Sequence, residues 1–254
     1  MTMKKISEIK EEFKNLPLEK LEEHIGLYQD DERKGVQTFL TTQENKLSRY
    51  REELNRLDSI SFYEKKYSSY GYVCGIDEVG RGPLAGPVVA GAVILPQDCK
   101  ILYINDSKKL SPKKREELFD IIKEEAVAIG IGLVPQERID EINILQATYE
   151  AMRMAIANLK VKPGILLNDA VTIPDVAIPQ VPIIKGDAKS ISIGAASIMA
   201  KVYRDRMMTE YDKMYPGYGF ASNKGYGSKE HMEALRKLGP TPIHRKSFIK
   251  GIWR

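Results

Sequence analysis

Short apolar segments alternate with longer amphipathic segments over most of this chain. The apolar segments are rich in β-branched residues and glycine, and they read YVCGI, PVVAGAVIL, VAIGIGLV, GILLND and VPIIKG. Between several of them lie stretches with apolar residues at helical spacing, such as PQERIDEINILQATYEAMRMAIANL. This alternation is typical of a mixed sheet covered by helices. The sequence therefore predicts an α/β fold from about residue 71 onward.

The first 70 residues have a different character. LEKLEEHIGLY and TFLTTQENKLSRYREELNRL place apolar residues at helical spacing amid dense charge, and SSYG at residues 68–71 has the composition of a linker. We expect a small helical N-terminal extension at residues 1–70 and a main domain at residues 71–254. The balanced charge of the extension leaves open whether it is a packing accessory or contacts nucleic acid or a partner protein.

Composition excludes several classes of protein. The chain is 43% hydrophobic and 29% charged, and its apolar runs are far shorter than a membrane span. The charged N-terminus lacks the apolar stretch of a signal peptide, so we expect a cytoplasmic protein without a membrane partner. Cys74 and Cys99 cannot form a disulfide framework, and the scattered His24, His231 and His244 give no zinc pattern.

Charge is unevenly distributed along the chain. Residues 201–254 contain 12 Lys/Arg against 5 Asp/Glu, whereas residues 71–200 contain 14 against 16. A basic face next to an acidic middle suits a protein that binds a phosphate backbone and carries a carboxylate site. A solvated basic helix would give the same count.

Acidic residues stand at the ends of three predicted strands. They are Asp77, Glu78, Asp169 and Asp187. Functional groups of open α/β sheets collect at the carboxyl ends of strands, although a single aspartate there more often caps a turn. Four converging carboxylates would repel one another unless divalent cations neutralised them. Because the donors are all oxygen, the fitting cofactor is Mg²⁺ or Mn²⁺, with two ions able to serve phosphodiester hydrolysis.

Two further features favour contact with nucleic acid. Gly80 and Gly82 flank Arg81, and this turn would let the backbone approach a sugar, although the glycines could equally serve a turn with positive φ. Tyr226 lies in the basic, glycine-rich NKGYGSKEH, where an aromatic ring can stack on a base or sugar. Tyrosines are common, so Tyr226 by itself indicates little.

The stretch that follows the second predicted strand carries weaker signals. Lys108 and Lys109 could contact phosphates, but lysines before a helix cap are usually solvated. Ser111 and Pro112 are expected to be the N-cap and first residue of a helix.

The glycine-rich stretch GRGPLAG, before the second predicted strand, is not a phosphate-binding loop of a known kind. It lacks both the Walker lysine-serine pair and the GxGxxG spacing, which excludes a nucleoside triphosphate site.

Six longer motifs follow one another along the chain: GIDEVGRGPLAGPVVAGAVIL, INDSKKLSPKKREELF, IDEINILQATYEAM, IIKGDAKSISIGAASIMAKVYRD, NKGYGSKEH and HRKSF. In this order they resemble bacterial ribonuclease HII. The resemblance covers about residues 71–254 and leaves the first 70 unexplained. It implies a ribonuclease H-like fold, a five-stranded mixed sheet flanked by helices, with a helical C-terminal extension.

The resemblance also implies roles for particular residues. By motif, the metal-binding acids of the family fall on Asp77, Glu78, Asp169 and Asp187. The glycine-arginine-glycine motif that contacts the ribonucleotide 2'-OH and adjacent phosphate falls on Gly80, Arg81 and Gly82. The substrate-sensing tyrosine falls on Tyr226.

Two residues depart from the family pattern. Asn168 stands before Asp169 where an aliphatic residue is usual, and Gly194 replaces an alanine in the AASI helix. Neither change removes a metal-binding acid.

The implied activity is endonucleolytic hydrolysis that depends on Mn²⁺ or Mg²⁺, two ions at the site. The implied substrates are RNA/DNA hybrids and duplex DNA with single embedded ribonucleotides, cut on the 5' side of the ribonucleotide to leave a 3'-hydroxyl and a 5'-phosphate. The implied roles are removal of misincorporated ribonucleotides and RNA primers, by a monomeric enzyme of DNA repair.

Two alternatives belong to other classes. A nucleic-acid-binding module that has lost catalysis would use the same basic face, but it would gain nothing from four repelling carboxylates beside a polyanion. A junction-resolving nuclease could use the same acid-bearing sheet. The glycine-arginine-glycine turn and Tyr226 favour sensing of a ribonucleotide instead.

Overall fold

The computed structural model of the protein describes residues 4–252, which divide into two compact units at residues 59 and 60. The first unit is helical, as its spacing of apolar residues predicts. Its helices are α1 (Ile6–Glu12), α2 (Leu21–Gly26) and nearly all of α3 (Lys34–Ile60). Their apolar faces form one small core, with the Phe13 ring edge-on to Phe39 at 5.2 Å between centroids.

The second unit contains a five-stranded mixed sheet, which confirms the predicted fold class. The strands are β1 (Val73–Val79), β2 (Val88–Ile94), β3 (Ala128–Val134), β4 (Ile165–Asp169) and β5 (Gln180–Ile183). Their order in the sheet is β3-β2-β1-β4-β5. The pairs β3-β2 and β2-β1 are antiparallel, whereas β1-β4 and β4-β5 are parallel.

Helices cover both faces of this sheet. The helices of the second unit are α4 (Phe62–Lys66), α5 (Pro112–Glu125), α6 (Gln136–Ala157), α7 (Ile191–Met214), α8 (Phe220–Asn223), α9 (Lys229–Leu238) and α10 (Lys246–Ile249). On one face α7 approaches so closely that a Cβ atom at Gly75 would lie 2.2 Å from the Ile193 nitrogen. On the other face a Cβ atom at Gly132 would lie 1.9 Å from the Ala151 carbonyl of α6. The strand glycines therefore set how tightly the layers pack.

The start of α5 is as predicted, with Ser111 as N-cap accepting a hydrogen bond from the Lys114 nitrogen and Pro112 at the first position. The helix at residues 136–157 differs from the uninterrupted helix that its spacing predicts. Asn143 adopts φ 69°, and its Oδ1 accepts hydrogen bonds from the Leu145 and Gln146 nitrogens at 2.9 and 3.2 Å. The Asn143 side chain thus caps a second helical segment, a local competition that apolar spacing does not reveal.

Residues 60–70 pack with the second unit. The Glu64 carboxylate accepts hydrogen bonds from the hydroxyls of Ser190 and Ser192 and from the Ser192 nitrogen, at the start of α7. Tyr63 and Tyr67 pack against a small core cluster of the same unit. The division at residue 70 stays a prediction, and its outer limits at residues 1–3 and 253–254 lie outside the described residues. Within residues 4–252, the helices are each too short or too polar to cross a membrane.

Candidate active site

The parallel pairing of β1 with β4 brings two predicted site residues side by side. Ile76 is paired with Asn168, so Asp77 and Asp169 follow at adjacent positions on neighbouring strands. Asp77 is only 6% exposed and is hydrogen-bonded to the Ser197 hydroxyl of α7. The segment that follows β5, the next strand of the sheet, adds Asp187 as a third acid. The nitrogen of Gly186, directly before Asp187, donates a 2.6 Å hydrogen bond to Asp169 Oδ1 and so holds this segment beside Asp169.

The pKa values of Asp77, Glu78 and Asp187 are all raised. Burial raises the pKa of Asp77 well above its usual range, and the charges of Glu78 and Asp169 add to this effect. Burial also raises the pKa of Glu78, although the nearby Arg81 guanidinium opposes the shift from 3.3 Å. For Asp187 burial again comes first in raising the pKa, followed by the charges of neighbouring acids. The four acids therefore form one electrostatic cluster, and their role in catalysis stays a prediction.

Two more residues belong to this cluster and were not predicted. Asp106 is hydrogen-bonded to Asp187 and helps to raise its pKa. Burial lowers the pKa of Lys108, but Asp106, Asp77 and Asp187 outweigh burial and raise it overall. Lys108 and Lys109 are both exposed, as lysines before a helix cap usually are. Nothing in the sequence indicated that the loop brings Lys108 near the acids, because the loop has no periodic pattern.

The predicted substrate-contacting residues meet at the edge of the acid cluster. A Cβ atom at Gly82 would lie 3.8 Å from Cε1 of Tyr226, whose side chain is 41% exposed. Gly80 has φ +91°, and a Cβ atom there would lie 2.4 Å from Nε of Arg204. Gly80 is thus required by the local backbone and packing, whereas Gly82 leaves space in front of the tyrosine ring.

Two fully buried arginines hold this turn, and the sequence did not predict them. Arg245 donates hydrogen bonds to the carbonyls of Gly80 at 2.5 Å, Arg81 at 2.9 Å and Gly86 at 2.8 and 2.9 Å. Arg204 donates in the same way to the carbonyls of Pro87, Ala85 and Lys224. Two of the 12 basic residues counted in the C-terminal segment are therefore internal supports and add nothing to an exposed basic face.

The two departures from the family pattern have structural explanations. A Cβ atom at Gly194 would lie 2.8 Å from Cγ2 of Ile104 and 3.2 Å from the carbonyl of Asp187, so glycine lets both segments approach α7 closely. Asn168 is fully buried and donates from Nδ2 to the Gln180 side chain at 2.7 Å. Gln180 in turn bonds the Ile173 nitrogen and carbonyl, so Asn168 helps to anchor the loop between β4 and β5.

The donor set fits a hard divalent cation. The acids offer oxygen atoms only, and they carry like charges whose mutual repulsion a cation would relieve. No group of three or more histidine, cysteine or acidic side chains in residues 4–252 is already arranged as a metal-binding cluster.

A five-stranded mixed sheet of this order, flanked by helices, has the ribonuclease H-like architecture. The family model described as Ribonuclease HII matches residues 74–251. The chain belongs to the ribonuclease HII family and is a ribonuclease H-type endonuclease.

Individual relatives agree with this assignment. Ribonuclease HII of Lachnoclostridium phytofermentans is 66% identical over 225 residues, which cover 89% of this chain and 89% of that protein. The Clostridioides difficile protein of the same name is 56% identical over 254 residues, 99% of this chain and all of that protein. Ribonuclease H2 from Pyrococcus horikoshii has a similar fold, with a TM-score of 0.60 and 30% identity over 71% of this chain and 96% of that one.

The first unit also has a counterpart. The family model described as Ribonuclease HII N-terminal domain matches residues 5–68. The motifs that resemble the family begin only at residue 71. The short charged helices before that residue carry no sequence pattern as distinctive as those motifs.

Proposed function

We propose that this protein hydrolyses the RNA strand of RNA/DNA hybrids and cuts duplex DNA on the 5' side of a single embedded ribonucleotide, leaving a 3'-hydroxyl and a 5'-phosphate. It acts as a monomer in the cytoplasm and removes misincorporated ribonucleotides and RNA primers during DNA repair. The observation that carries this proposal is the open position at Gly82 in front of the exposed Tyr226 ring, beside the acid cluster.

The chain's own residues divide the work between recognition and chemistry. Gly80, Arg81 and Gly82 present backbone atoms and a guanidinium to the ribonucleotide sugar and phosphate, and a 2'-OH is the group that separates RNA from DNA. The Tyr226 ring packs on the neighbouring sugar on the 3' side. Lys108 lies close enough to the acids to place its positive charge near the scissile phosphate.

Asp77, Glu78, Asp169 and Asp187 would hold two Mn²⁺ or Mg²⁺ ions. When bound, such ions lower the pKa of the attacking water and neutralise charge on the phosphate. The carboxylates position the ions and do not attack the substrate. Since most affinity would come from phosphate contacts, cleavage should depend weakly on base sequence and strongly on salt.

The direct test is cleavage of a defined duplex that carries one ribonucleotide. We expect a single cut 5' to the ribonucleotide in the presence of Mn²⁺ or Mg²⁺, detected by the mobility of the end-labelled product. An all-DNA duplex and a four-way DNA junction serve as controls. Binding without cutting would favour the inactive binding module, and cutting of the junction would favour the resolving nuclease.

A second prediction concerns the N-terminal unit. A fragment that starts at residue 60 is expected to fold and to cut at saturating substrate, because it contains each proposed site residue. A fragment that starts at residue 68 lacks Glu64 and its hydrogen bonds to α7, so its melting temperature should be lower by about 2–4 °C or more. Thermal melts and turnover rates compare the two. A folded residue-60 fragment without activity would show that the first unit takes part in catalysis.

A further inference from the structure

Two buried histidines behind Tyr226 form a directed chain of hydrogen bonds. The Thr241 nitrogen donates to Nδ1 of His244 at 2.9 Å, so this ring atom is an acceptor. Nε2 of His244 must then carry the proton, and it lies 3.0 Å from Nε2 of His231. That leaves Nδ1 of His231 as the donor to the Tyr226 carbonyl at 2.8 Å. The Thr241 backbone thus fixes the tautomer of both rings.

The pair is held in its neutral form. Tyr218 and Phe220 pack against both rings, with Phe220 edge-on to His231 at 5.2 Å between centroids. Burial lowers the pKa of His231, and burial together with the neighbouring ring lowers the pKa of His244 to about 4. An added proton on Nε2 of His231 would make two N–H groups face each other across the 3.0 Å contact, and one on Nδ1 of His244 would face the Thr241 N–H. One arrangement of protons therefore satisfies the whole chain.

The same pair is tied to the glycine-arginine-glycine turn. His244 pairs as an isolated β-bridge with Ala85, a few residues beyond the turn. The Leu84 nitrogen, next to Ala85, donates to the carbonyl of Gly225 at 2.8 Å, directly before Tyr226. Backbone contacts thus join three features to one another: the segment after the turn, the Tyr226 loop and the histidine pair.

We propose that His231 and His244 are positioning residues that hold the Tyr226 ring beside Gly82 and so set the preference for a single ribonucleotide in DNA over continuous RNA. The inference rests on the role proposed above for Tyr226. Neither histidine touches the substrate: the pair acts through the Tyr226 carbonyl. That carbonyl also accepts a hydrogen bond from the Ser228 nitrogen at 2.8 Å, so loss of His231 should loosen the loop without unfolding it.

The test compares two substitutions of His231. His231→Phe keeps an aromatic ring in the cluster but cannot donate to the Tyr226 carbonyl. His231→Asn places an amide nitrogen where Nδ1 stands and can donate. The readout is kcat/KM on a single-ribonucleotide duplex divided by kcat/KM on a continuous hybrid. We expect His231→Phe to lower this ratio by about threefold to tenfold and His231→Asn to restore most of it.

Tyr218→Phe is the matched control, because it removes a hydrogen bond to the Gly239 carbonyl in the same cluster without touching Tyr226. Its ratio should stay at the wild-type value even if its melting temperature falls. A wild-type ratio in His231→Phe, with Tyr226→Ala lowering it, would overturn this inference and leave the proposed function standing. An unchanged ratio in Tyr226→Ala would remove the proposed role of Tyr226 and the inference with it.

A measurement on the wild-type protein covers the case in which His231→Phe does not fold. Long-range ¹H–¹⁵N spectra distinguish the two neutral tautomers of histidine. We expect the proton on Nδ1 of His231 and on Nε2 of His244, persisting below the ordinary histidine pKa of about 6.5. A charged ring or the opposite tautomers at neutral pH would contradict the proposed chain of hydrogen bonds.

Discussion

Asp77→Asn is expected to lower metal-dependent cleavage by about a thousandfold or more and to leave duplex binding intact. Asparagine keeps the shape of the side chain but loses the charge that would hold a cation, and the metal supplies most of the charge stabilisation in such sites. Asp169→Asn should behave in the same way, since its carboxylate lies at the adjacent position of β4. Turnover at saturating Mn²⁺ and affinity without metal separate the two effects.

The same substitution should stabilise the metal-free protein. Because burial and Glu78 raise the pKa of Asp77 in the folded state, ionisation of Asp77 at neutral pH costs stability. A neutral asparagine avoids this cost, so the melting temperature should rise by about 2–4 °C without metal. Added Mn²⁺ should then stabilise the wild-type protein much more than the variant.

Asp120→Asn is the matched control, an exposed aspartate on α5. It should leave cleavage, melting temperature and the response to Mn²⁺ unchanged. Turnover near the wild-type rate in Asp77→Asn would contradict the assignment of this acid to the metal site. A lower melting temperature without metal would contradict the electrostatic account of the cluster.

Tyr226→Ala is expected to slow cleavage of a single-ribonucleotide duplex by about tenfold to a hundredfold. The ring faces the open position at Gly82, and loss of one stacking contact costs on the order of 1–3 kcal/mol. A ring packed flat on a deoxyribose leaves little room for a 2'-OH, so cleavage of a continuous hybrid should slow less. Tyr226→Phe should retain most activity, because the ring makes the contact.

Tyr203→Ala controls for loss of an exposed aromatic side chain, since Tyr203 is 42% exposed on α7 and Tyr226 is 41% exposed. The ratio of the two cleavage rates should be unchanged by this control. The same unchanged ratio in Tyr226→Ala would show that Tyr226 is a structural tyrosine only.

Local pattern was sufficient to predict the strands of the second unit. Each predicted strand is present, because short segments rich in β-branched residues favour the extended backbone that a sheet requires. The N-cap Ser111 was predictable for the same reason, since capping depends on the next three residues alone. The break at Asn143 was missed because apolar spacing continues on both sides of it.

The sequence by itself determined the α/β class and the strands, since apolar spacing depends on neighbouring residues, and it placed four acids at or just beyond the strand ends, where their role in the site stays a prediction. Only the tertiary structure decided that Lys108 joins the acids, that Arg245 supports the turn at Gly80, and that the histidines lie behind Tyr226. Arg245 donates to a carbonyl 165 residues away in the sequence. A buried cation of this kind is stable because chain segments far apart in sequence supply its acceptors together, and no local pattern records which segments will meet.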